Sequence, residues 1–251
     1  MILAIVQARM ASKRLPGKVI RRVNGISLLH HLLERLERSE LIDNIVVATG
    51  PGSENEPVRD EAMAYGVDCP YVEAPEEDVL LRYLTIALGY RADVIVRITG
   101  DCPLIDAEVV DETIMALGNC DFSTNVMERT YPKGFDCEVM TLDTLLKLHR
   151  LVKGEEREHV CSYIYHSDRF AVASVQDDVD HSDLTWCVDT QEDFERVAVL
   201  LKHGILPYEE MLEIYGESDE TFGDGDATRS NREADEPTGE EQGWGNADEF
   251  N

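Results

Sequence analysis

Four cationic side chains follow the first apolar run of the chain. Arg9, Lys13, Arg14 and Lys18 lie in "VQARMASKRLPGK", directly behind "MILAIVQA". Neither a GxGxxG nor a GxxxxGKS/T phosphate loop occurs in the sequence, so the side chains themselves would have to hold an anion. Arginine makes bidentate contacts with phosphate, and lysine contributes a point charge. The cluster predicts a phosphate-binding loop, with a solvated, ion-paired surface loop as the alternative.

Two aspartates stand directly behind later apolar runs. Asp101 lies in "VRITGDCPLID" and Asp189 in "LTWCVDTQEDFERV". Asp106 and Thr190 are the candidate N-caps of the helices that follow, and this leaves Asp101 and Asp189 for another role. Carboxylate oxygens are the ligands of hard cations, so the pair predicts a shared magnesium ion. A turn aspartate that caps the next helix is the alternative for Asp101.

Further polar residues cluster in "YPKGFDCEVM" and "EEREHV". Both signs of charge occur there, which suits a polyhydroxylated and possibly charged substrate. The residues concerned are Lys133, Asp136, Glu138, Arg157, Glu158 and His159. His159 is a candidate general base, although a lone helical histidine is more often a structural hydrogen-bonding residue.

Short apolar runs alternate with helical patterns through the first half of the chain. The predicted strands are 2–8, 44–49, 69–74 and 93–100, and the predicted helices are 26–39, 56–66, 76–90 and 106–118. This alternation predicts an α/β fold with a mostly parallel sheet and helices on both faces. Ligands of such sheets bind at the carboxyl ends of the strands, where the cations and the two aspartates should lie.

The second half of the chain is less regular. Strands are predicted at 120–125, 136–142, 169–175 and 184–188, and helices at about 142–153, 157–166 and 190–203. This pattern predicts a mixed sheet with an arm or substrate lobe. Residues 1–216 are expected to form the folded domain. Residues 217–251 carry 12 acidic and 2 basic residues with little aliphatic content, and are expected to be a disordered acidic tail.

Composition excludes several classes of protein. The formal net charge is −28, and only six of the 23 basic residues are lysine. No broad basic surface exists to bind nucleic acid or an anionic membrane, and a halophilic source is expected. No apolar run reaches the ~20 residues of a membrane helix, and a secretory signal is not expected, so we expect a cytoplasmic protein. The six cysteines form no CxxC motif and are expected to be reduced, mostly buried thiols.

Six stretches, taken together and in order, resemble a known family. They are "QARMASKRLPGK", "DVLLRY", "VRITGDCPLID", "YPKGFDCEV", "REHV" and "VDTQEDF", and they span about residues 3 to 200. The chain resembles the spore-coat-polysaccharide-type cytidylyltransferases. These are relatives of the acylneuraminate cytidylyltransferases and of 3-deoxy-manno-octulosonate cytidylyltransferase (CMP-KDO synthetase).

The resemblance implies a nucleotide-diphospho-sugar transferase fold, which is a Rossmann-like three-layer α/β/α sandwich. It implies Mg²⁺-dependent transfer of CMP from CTP to an acidic sugar, such as a nonulosonic or KDO-like acid, with release of pyrophosphate in surface-polysaccharide synthesis. It also implies a homodimer joined through an arm within about residues 120–170. The nucleotide- and phosphate-binding residues it implies are Ala8, Arg9, Lys13, Arg14, Lys18, Thr99 and Gly100. The implied metal ligands are Asp101 and Asp189, and with Arg9 and Lys18 they would be catalytic. The implied sugar-binding residues are Asn125, Asp136, Glu138, Arg157 and His159.

The chain departs from the family pattern at two places. Ala11 replaces a common glycine, and Ala74-Pro75 stand where many members have Arg-Gly. The second departure leaves another base, or a loss of activity, as alternatives. Two other functions also stay open: a glycosyltransferase with a metal on "DGD" (224–226) or "DCEV" (136–139), and a non-catalytic nucleotide- or sugar-binding protein.

Overall fold

The computed structural model describes residues 1–222, and it describes the side chains of residues 1–216. The chain divides into two compact units, Met1–Met211 and Leu212–Asn251. A helix, Tyr208–Phe222, continues past the domain end predicted at residue 216. The remainder of the predicted acidic tail lies outside the described residues, as does "DGD" at 224–226.

Eight strands occur in the described part of the chain. In order they are β1 (Ile2–Gln7), β2 (Arg22–Val23), β3 (Ile26–Ser27), β4 (Asn44–Ala48), β5 (Val94–Thr99), β6 (Phe122–Thr124), β7 (Glu138–Thr141) and β8 (Val172–Ser174). The main sheet has six strands in the order β4-β1-β5-β7-β6-β8, while β2 and β3 form a separate hairpin. Within the main sheet only β7 runs antiparallel to its neighbours.

Eight α-helices occur between residues 1 and 222, the part of the chain that the structure describes. They are α1 (Leu28–Leu36), α2 (Glu56–Tyr65), α3 (Val79–Tyr90), α4 (Ala107–Leu117), α5 (Leu142–Leu151), α6 (Ser162–Tyr165), α7 (Gln191–Leu201) and α8 (Tyr208–Phe222).

The alternation of side chains along β1 explains the layered core. Leu3 and Ile5 are fully buried in one hydrophobic cluster, which also contains residues of α3 and α5. Ala4 and Val6 are fully buried in another, together with residues of α1, α2 and α4. Successive side chains of a strand point to opposite faces, so a continuously apolar strand needs helices on both sides. The three-layer α/β/α fold with a mostly parallel, mixed sheet is thereby confirmed.

Several helix boundaries follow from capping residues, among them the predicted cap Asp106. Asp106 caps α4 by accepting hydrogen bonds from the backbone N–H groups of Glu108 and Val109. Gly66 ends α2 in the left-handed region, at φ 103°. The helix predicted from residue 26 begins two residues later, because Ser27 serves as its N-cap and accepts from the N–H of His30.

Three predicted elements are wrong. Residues 69–74 are not a strand, because Pro70 and Pro75 interrupt the backbone donors there. Residues 184–188 form only an isolated bridge with Lys133 and pair with no strand of the sheet. Trp186 N–H donates to the Lys133 carbonyl at 2.6 Å, and Val188 N–H donates to that of Asp101. The helix predicted at about 157–166 divides into a 3-10 turn, Gly154–Glu158, and the short α6.

Two further features bear on the expectations from composition. No helix in the described part of the chain is long and apolar enough to cross a membrane. All six cysteines are free, and three of them, Cys102, Cys137 and Cys161, are buried.

Candidate active site

A cavity of about 710 Å³ opens at the carboxyl ends of β1 and β5. The loop after β1, the turn after β5 and the turn before α7 all contribute to its walls. Nine residues predicted to bind nucleotide, phosphate or metal line it: Ala8, Arg9, Lys13, Arg14, Lys18, Thr99, Gly100, Asp101 and Asp189. The sheet topology therefore brings together side chains that are far apart in the sequence: Lys18 lies 83 residues from Asp101 and 171 from Asp189.

Lys18 joins the two aspartates at the centre of the site. Its Nζ donates to Asp101 Oδ2 at 2.8 Å and to Asp189 Oδ1 at 2.7 Å. Burial alone would raise the pKa of the Asp101 carboxyl, but Lys18 and Thr99 hold it below its ordinary value. Burial alone would lower the pKa of Lys18, but Asp101 and Asp189 raise it above its ordinary value. Lys18 and Asp101 therefore stabilise each other in their charged forms.

The other cations of the loop lie closer to solvent. Arg14 Nη2 donates to Asp189 Oδ2 at 2.7 Å. Arg9 Nη1 donates to Glu158 Oε1 at 3.1 Å, which ties the loop after β1 to the 3-10 turn Gly154–Glu158. Lys13 is exposed at the cavity wall. A phosphate chain in the cavity would meet these three side chains in addition to Lys18.

Gly100 allows the ends of β1 and β5 to approach closely. Its N–H donates to the carbonyl of Gln7 at 2.7 Å. A Cβ at this position would lie 3.0 Å from both the Gln7 oxygen and the Ala8 Cβ. A larger residue would therefore push the Asp101 turn away from the cationic loop.

Asp189 is positioned by the start of α7. The carboxylate of Asp193 accepts from the N–H of Asp189 at 3.0 Å and from the N–H of Thr190 at 2.8 Å. Thr190 Oγ1 in turn accepts from the N–H of Asp193, which completes the predicted capping box. The N–H of Val188 donates to the carbonyl of Asp101 at 2.8 Å, so the two aspartate turns are linked directly.

The two aspartates fit a hard divalent cation. Both present oxygen donors to a single nitrogen, so they lie within reach of one ion. Magnesium is commonly held by one or two carboxylates, with substrate phosphates and water completing its octahedron. In the described residues no group of three or more His, Cys, Asp or Glu side chains is suited to hold a metal. The two-carboxylate arrangement thus suits an ion that arrives with a phosphorylated substrate.

Two of the predicted sugar-binding residues, Asn125 and Asp136, are engaged in contacts beside β6 and β7. Asn125 is 1% exposed, and its amide bonds the Phe135 carbonyl and the Cys137 N–H. Asp136 receives two hydrogen bonds from Arg129, at 2.6 and 3.0 Å. Because Arg129 already neutralises Asp136, this geometry does not favour a metal on "DCEV".

Glu138 belongs to a buried network beside the cavity. It pairs with Arg97 directly across the β5–β7 ladder and also accepts from the Tyr165 hydroxyl. Arg97 Nη2 donates to Gln7 Oε1 at 3.4 Å, and Gln7 lines the cavity. Glu138 therefore reaches the site through Arg97 and Gln7.

The residues of the "REHV" segment have different roles. Arg157 Nε donates to Asp78 Oδ1 at 2.9 Å, and its Nη1 donates to the carbonyls of His149 and Val152 near the end of α5. Asp78 also caps α3, so Arg157 joins two helices. The backbone N–H and carbonyl of His159 bond within the turn, whereas Glu158 is the member of this segment that lines the cavity.

Sequence reasoning missed the acidic wall of the cavity. Glu76 and Glu77 lie there, opposite the cationic loop. The available signal was the run "PEED" before α3. Arg82 secures this segment by donating to the carbonyls of Pro75 and Glu76 at 3.2 and 3.0 Å.

Comparison with known proteins agrees with this geometry. A family model described as cytidylyltransferase matches residues 3–216. The spore coat polysaccharide biosynthesis protein SpsF of Bacillus subtilis is 31% identical over 211 residues, which cover 79% of this chain and 85% of SpsF. A 3-deoxy-manno-octulosonate cytidylyltransferase of Pelobacter propionicus is 33% identical over 116 residues, covering 46% of this chain and 44% of that protein.

A solved cytidylyltransferase of Leptospira borgpetersenii superposes with a TM-score of 0.83 at 30% identity. The superposition covers 89% of this chain and 97% of that one. The family model extends over the strands and turns that build the cavity. The chain belongs to the cytidylyltransferase family.

Proposed function

We propose that this protein transfers CMP from CTP to a sugar and releases pyrophosphate, with Mg²⁺ as its cofactor. The observation that best supports this proposal is the arrangement at the centre of the cavity. There Lys18 Nζ lies 2.8 Å from Asp101 Oδ2 and 2.7 Å from Asp189 Oδ1, and Arg9 and Arg14 line the same cavity. Such a site pairs a cationic surface for a triphosphate with two carboxylates for a divalent ion.

The reaction needs charge neutralisation and alignment more than covalent help. A sugar hydroxyl oxygen attacks the α-phosphorus of CTP. The bond from that phosphorus to the oxygen bridging the β-phosphate breaks, pyrophosphate leaves, and the hydroxyl proton passes to a base or to water. Arg9, Arg14 and Lys18 would neutralise the phosphate oxygens as charge shifts toward pyrophosphate. Magnesium held by Asp101 and Asp189 would supply Lewis-acid charge when bound.

We propose an acidic sugar as the acceptor, in surface-polysaccharide synthesis. The supporting facts are the names of the relatives: one is a spore coat polysaccharide biosynthesis protein, and another acts on 3-deoxy-manno-octulosonate. A nonulosonic or KDO-like acid carries a carboxylate, which a cationic side chain at the mouth of the cavity would bind. Lys13 is exposed there and is a candidate for this contact.

The test is pyrophosphate release with CTP, Mg²⁺ and a panel of sugar acids. We expect Asp101→Asn to lower turnover at least about a hundredfold, because it removes charge from the proposed metal site. Asp60→Asn, an exposed change on α2, is the matched control and should keep full activity. Equal turnover in the Asp101 variant and the wild type would exclude Asp101 as a metal ligand.

We also propose that the protein is a cytoplasmic homodimer. The segment predicted to form the arm contributes β6, β7, α5 and α6, and the first two belong to the main sheet. Light scattering on the purified chain tests the dimer, and a monomeric mass at micromolar concentration would contradict it.

A further inference from the structure

A second cavity lies apart from the candidate active site. It measures about 340 Å³ and is bordered by the end of α1, the start of α4 and the start of α8. None of its lining residues also lines the cavity at the carboxyl ends of β1 and β5, and all of them belong to the unit Met1–Met211. Its volume falls in the range of sites that hold small organic molecules.

Arg35 lines this cavity and carries a buried charge without an ion pair. It is 3% exposed, and burial lowers the pKa of its guanidinium to about 10, which the charge of Asp106 only partly offsets. No carboxylate of the described residues lies within 4 Å of it. A cation removed from water is costly unless an anion accompanies it, so this arrangement favours a role in binding an anion.

The protein contacts of Arg35 leave its guanidinium able to bind a ligand. It donates to the carbonyls of Gly204 and Leu206, both at 3.5 Å, which is longer than the usual range of about 2.7–3.2 Å. A third contact, also at 3.5 Å, goes to the sulfur of Met211. A guanidinium has five N–H donors, and a carboxylate would offer it shorter and stronger bonds than these.

Further positive charge surrounds the same cavity. Arg38 lines it from an exposed position three residues after Arg35, a spacing that makes side chains neighbours at the end of a helix. The first residues of α4 and α8 also lie in the wall, and the N-terminus of a helix carries partial positive charge. Two guanidinium forks and two helix N-termini together form a site for one carboxylate group.

Acidic residues in the rest of the wall restrict the kind of anion. Glu112 accepts from the Tyr131 hydroxyl at 3.3 Å, and Asp106 caps α4. Acidic residues outnumber the two arginines, so a phosphate or a dicarboxylate would be repelled. A ligand with one carboxylate and one ammonium group would match both parts of the wall. The acidic residues of the wall are Asp106, Glu108, Glu112, Asp177 and Glu209.

We propose that this cavity binds a free α-amino acid. Such a molecule carries its carboxylate and its ammonium group on one carbon atom, which suits a small cavity with both signs of charge. The carboxylate would accept hydrogen bonds from Arg35 and Arg38, and the ammonium group would donate to the half-buried Asp177. Tyr131 and Tyr208 would flank the side chain of the ligand. This site is additional to the proposed catalytic site and does not depend on it.

Isothermal titration calorimetry of the full chain with each of the standard amino acids tests the proposal. We expect at least one of them to bind with a millimolar or smaller Kd. Succinate and inorganic phosphate test the anion alone, and putrescine tests the cation alone. Each of these three should bind at least about tenfold more weakly than the best amino acid, because each matches only one part of the wall.

Two arginine variants link the binding to this cavity. Arg38→Ala should weaken it by about tenfold without changing the melting temperature, because Arg38 is exposed. Arg150→Ala, an exposed change on α5, is the matched control and should keep the wild-type affinity. Arg35→Met should abolish binding without lowering the melting temperature, since an apolar side chain replaces an unpaired buried charge. An arginine that only secures α8 would give the opposite result.

The outcomes that would overturn the proposal are distinct. They are the absence of binding by every amino acid, equal or tighter binding of succinate, phosphate or putrescine, and an affinity that neither Arg35→Met nor Arg38→Ala changes. A lower melting temperature of Arg35→Met together with unchanged affinity in Arg38→Ala would also assign Arg35 to packing alone. Pyrophosphate release with CTP enters none of these measurements, so failure of the proposed function would leave this inference standing, and the reverse also holds.

Discussion

Lys18 has a structural as well as a chemical part in the site. It is 8% exposed and donates to both Asp101 and Asp189, which would otherwise face each other as like charges. The ammonium therefore holds the two carboxylates close together without a bound cation. A triphosphate and its metal ion would enter a site that is already assembled.

Replacing Lys18 with Met should therefore destabilise the metal-free protein. We expect the free energy of unfolding to fall by about 2 kcal/mol, because two partly buried carboxylates lose their counter-charge. Magnesium should restore more stability to this variant than to the wild type, since the ion takes the position of the ammonium. Urea denaturation with and without Mg²⁺ measures both effects.

The control is Lys13→Met, which removes an exposed cation from the same loop and should change stability by less than about 0.5 kcal/mol. Adding Asp101→Asn to the Lys18 variant should recover part of the loss, because one of the repelling charges is removed. Fully additive effects of the two substitutions would contradict a direct interaction.

Site residues differ in how far the sequence could predict them. The cations of the first loop and the two aspartates could be predicted, because each follows an apolar strand and parallel strands end at one edge. Glu76 and Glu77 could not, because only the folded chain brings the segment before α3 to the wall of the cavity. Asn125 and Glu138 were placed near the site by resemblance, but their backbone and arginine contacts emerge only from the folded chain.

At the scale of elements, the start of α7 connects stability to the position of Asp189. Asp193 accepts from the N–H groups of Asp189 and Thr190, while Thr190 Oγ1 accepts only from within the helix. Both Thr190→Ala and Asp193→Ala should lower the free energy of unfolding by about 1 kcal/mol through loss of the cap. Only Asp193→Ala should also lower turnover several-fold, because it frees the Asp189 backbone.

Comparing kcat/KM with CTP for these two variants, at matched stability, isolates the positioning effect. An equal loss of turnover in both would show that helix stability alone governs the site. An unchanged turnover in Asp193→Ala would show that the links from Lys18 and Arg14 suffice to hold Asp189.

His31, on helix α1, makes a pH-dependent contribution to the free energy of unfolding. Burial lowers its pKa from the ordinary value of 6.5, and its contact with the Val23 carbonyl only partly offsets this. The unfolded chain then binds a proton near pH 6.5, whereas the folded protein does so only at lower pH. Stability from this group is complete above pH 6.5 and falls as the pH drops from there through the folded-state pKa.

His31→Gln should therefore flatten the decline of unfolding free energy between about pH 6.5 and 5. Urea denaturation at several pH values measures the slope. His203→Gln, an exposed change just beyond α7, should leave the wild-type slope unchanged. A parallel decline in the wild type and the His31 variant would assign the pH dependence to other groups.

Element prediction succeeded where local signals decided the structure. Asp106, Gly66 and Thr190 mark helix ends by capping chemistry that depends on near neighbours alone. The apolar segment 184–188 failed, because its backbone pairs with Lys133 some 50 residues away and not with a strand of the sheet. Gly134 permits that approach: a Cβ there would lie 2.6 Å from the backbone of Trp186 and Cys187.

At the scale of the whole molecule, the cationic cavity lies within an acidic chain. The net charge is −28, so most of the surface would repel a nucleoside triphosphate, and the loop after β1 is where four cations gather. Such a charge destabilises the compact state by self-repulsion, and dissolved salt screens that repulsion. Tolerance of high salt would follow from the same composition.

The melting temperature should therefore rise with ionic strength. Between about 0.1 and 2 M KCl we expect an increase of about 5 °C, as screening offsets repulsion worth about 2 kcal/mol. A chain ending at Phe222 would retain a net charge of −21 and should keep most of this dependence, because the removed residues hold only −7. Differential scanning calorimetry of both chains measures how the melting temperature depends on salt. If the truncated chain loses this dependence, its source lies in residues 223–251. A melting temperature of the full chain that stays flat or falls with salt would contradict an adaptation to salt.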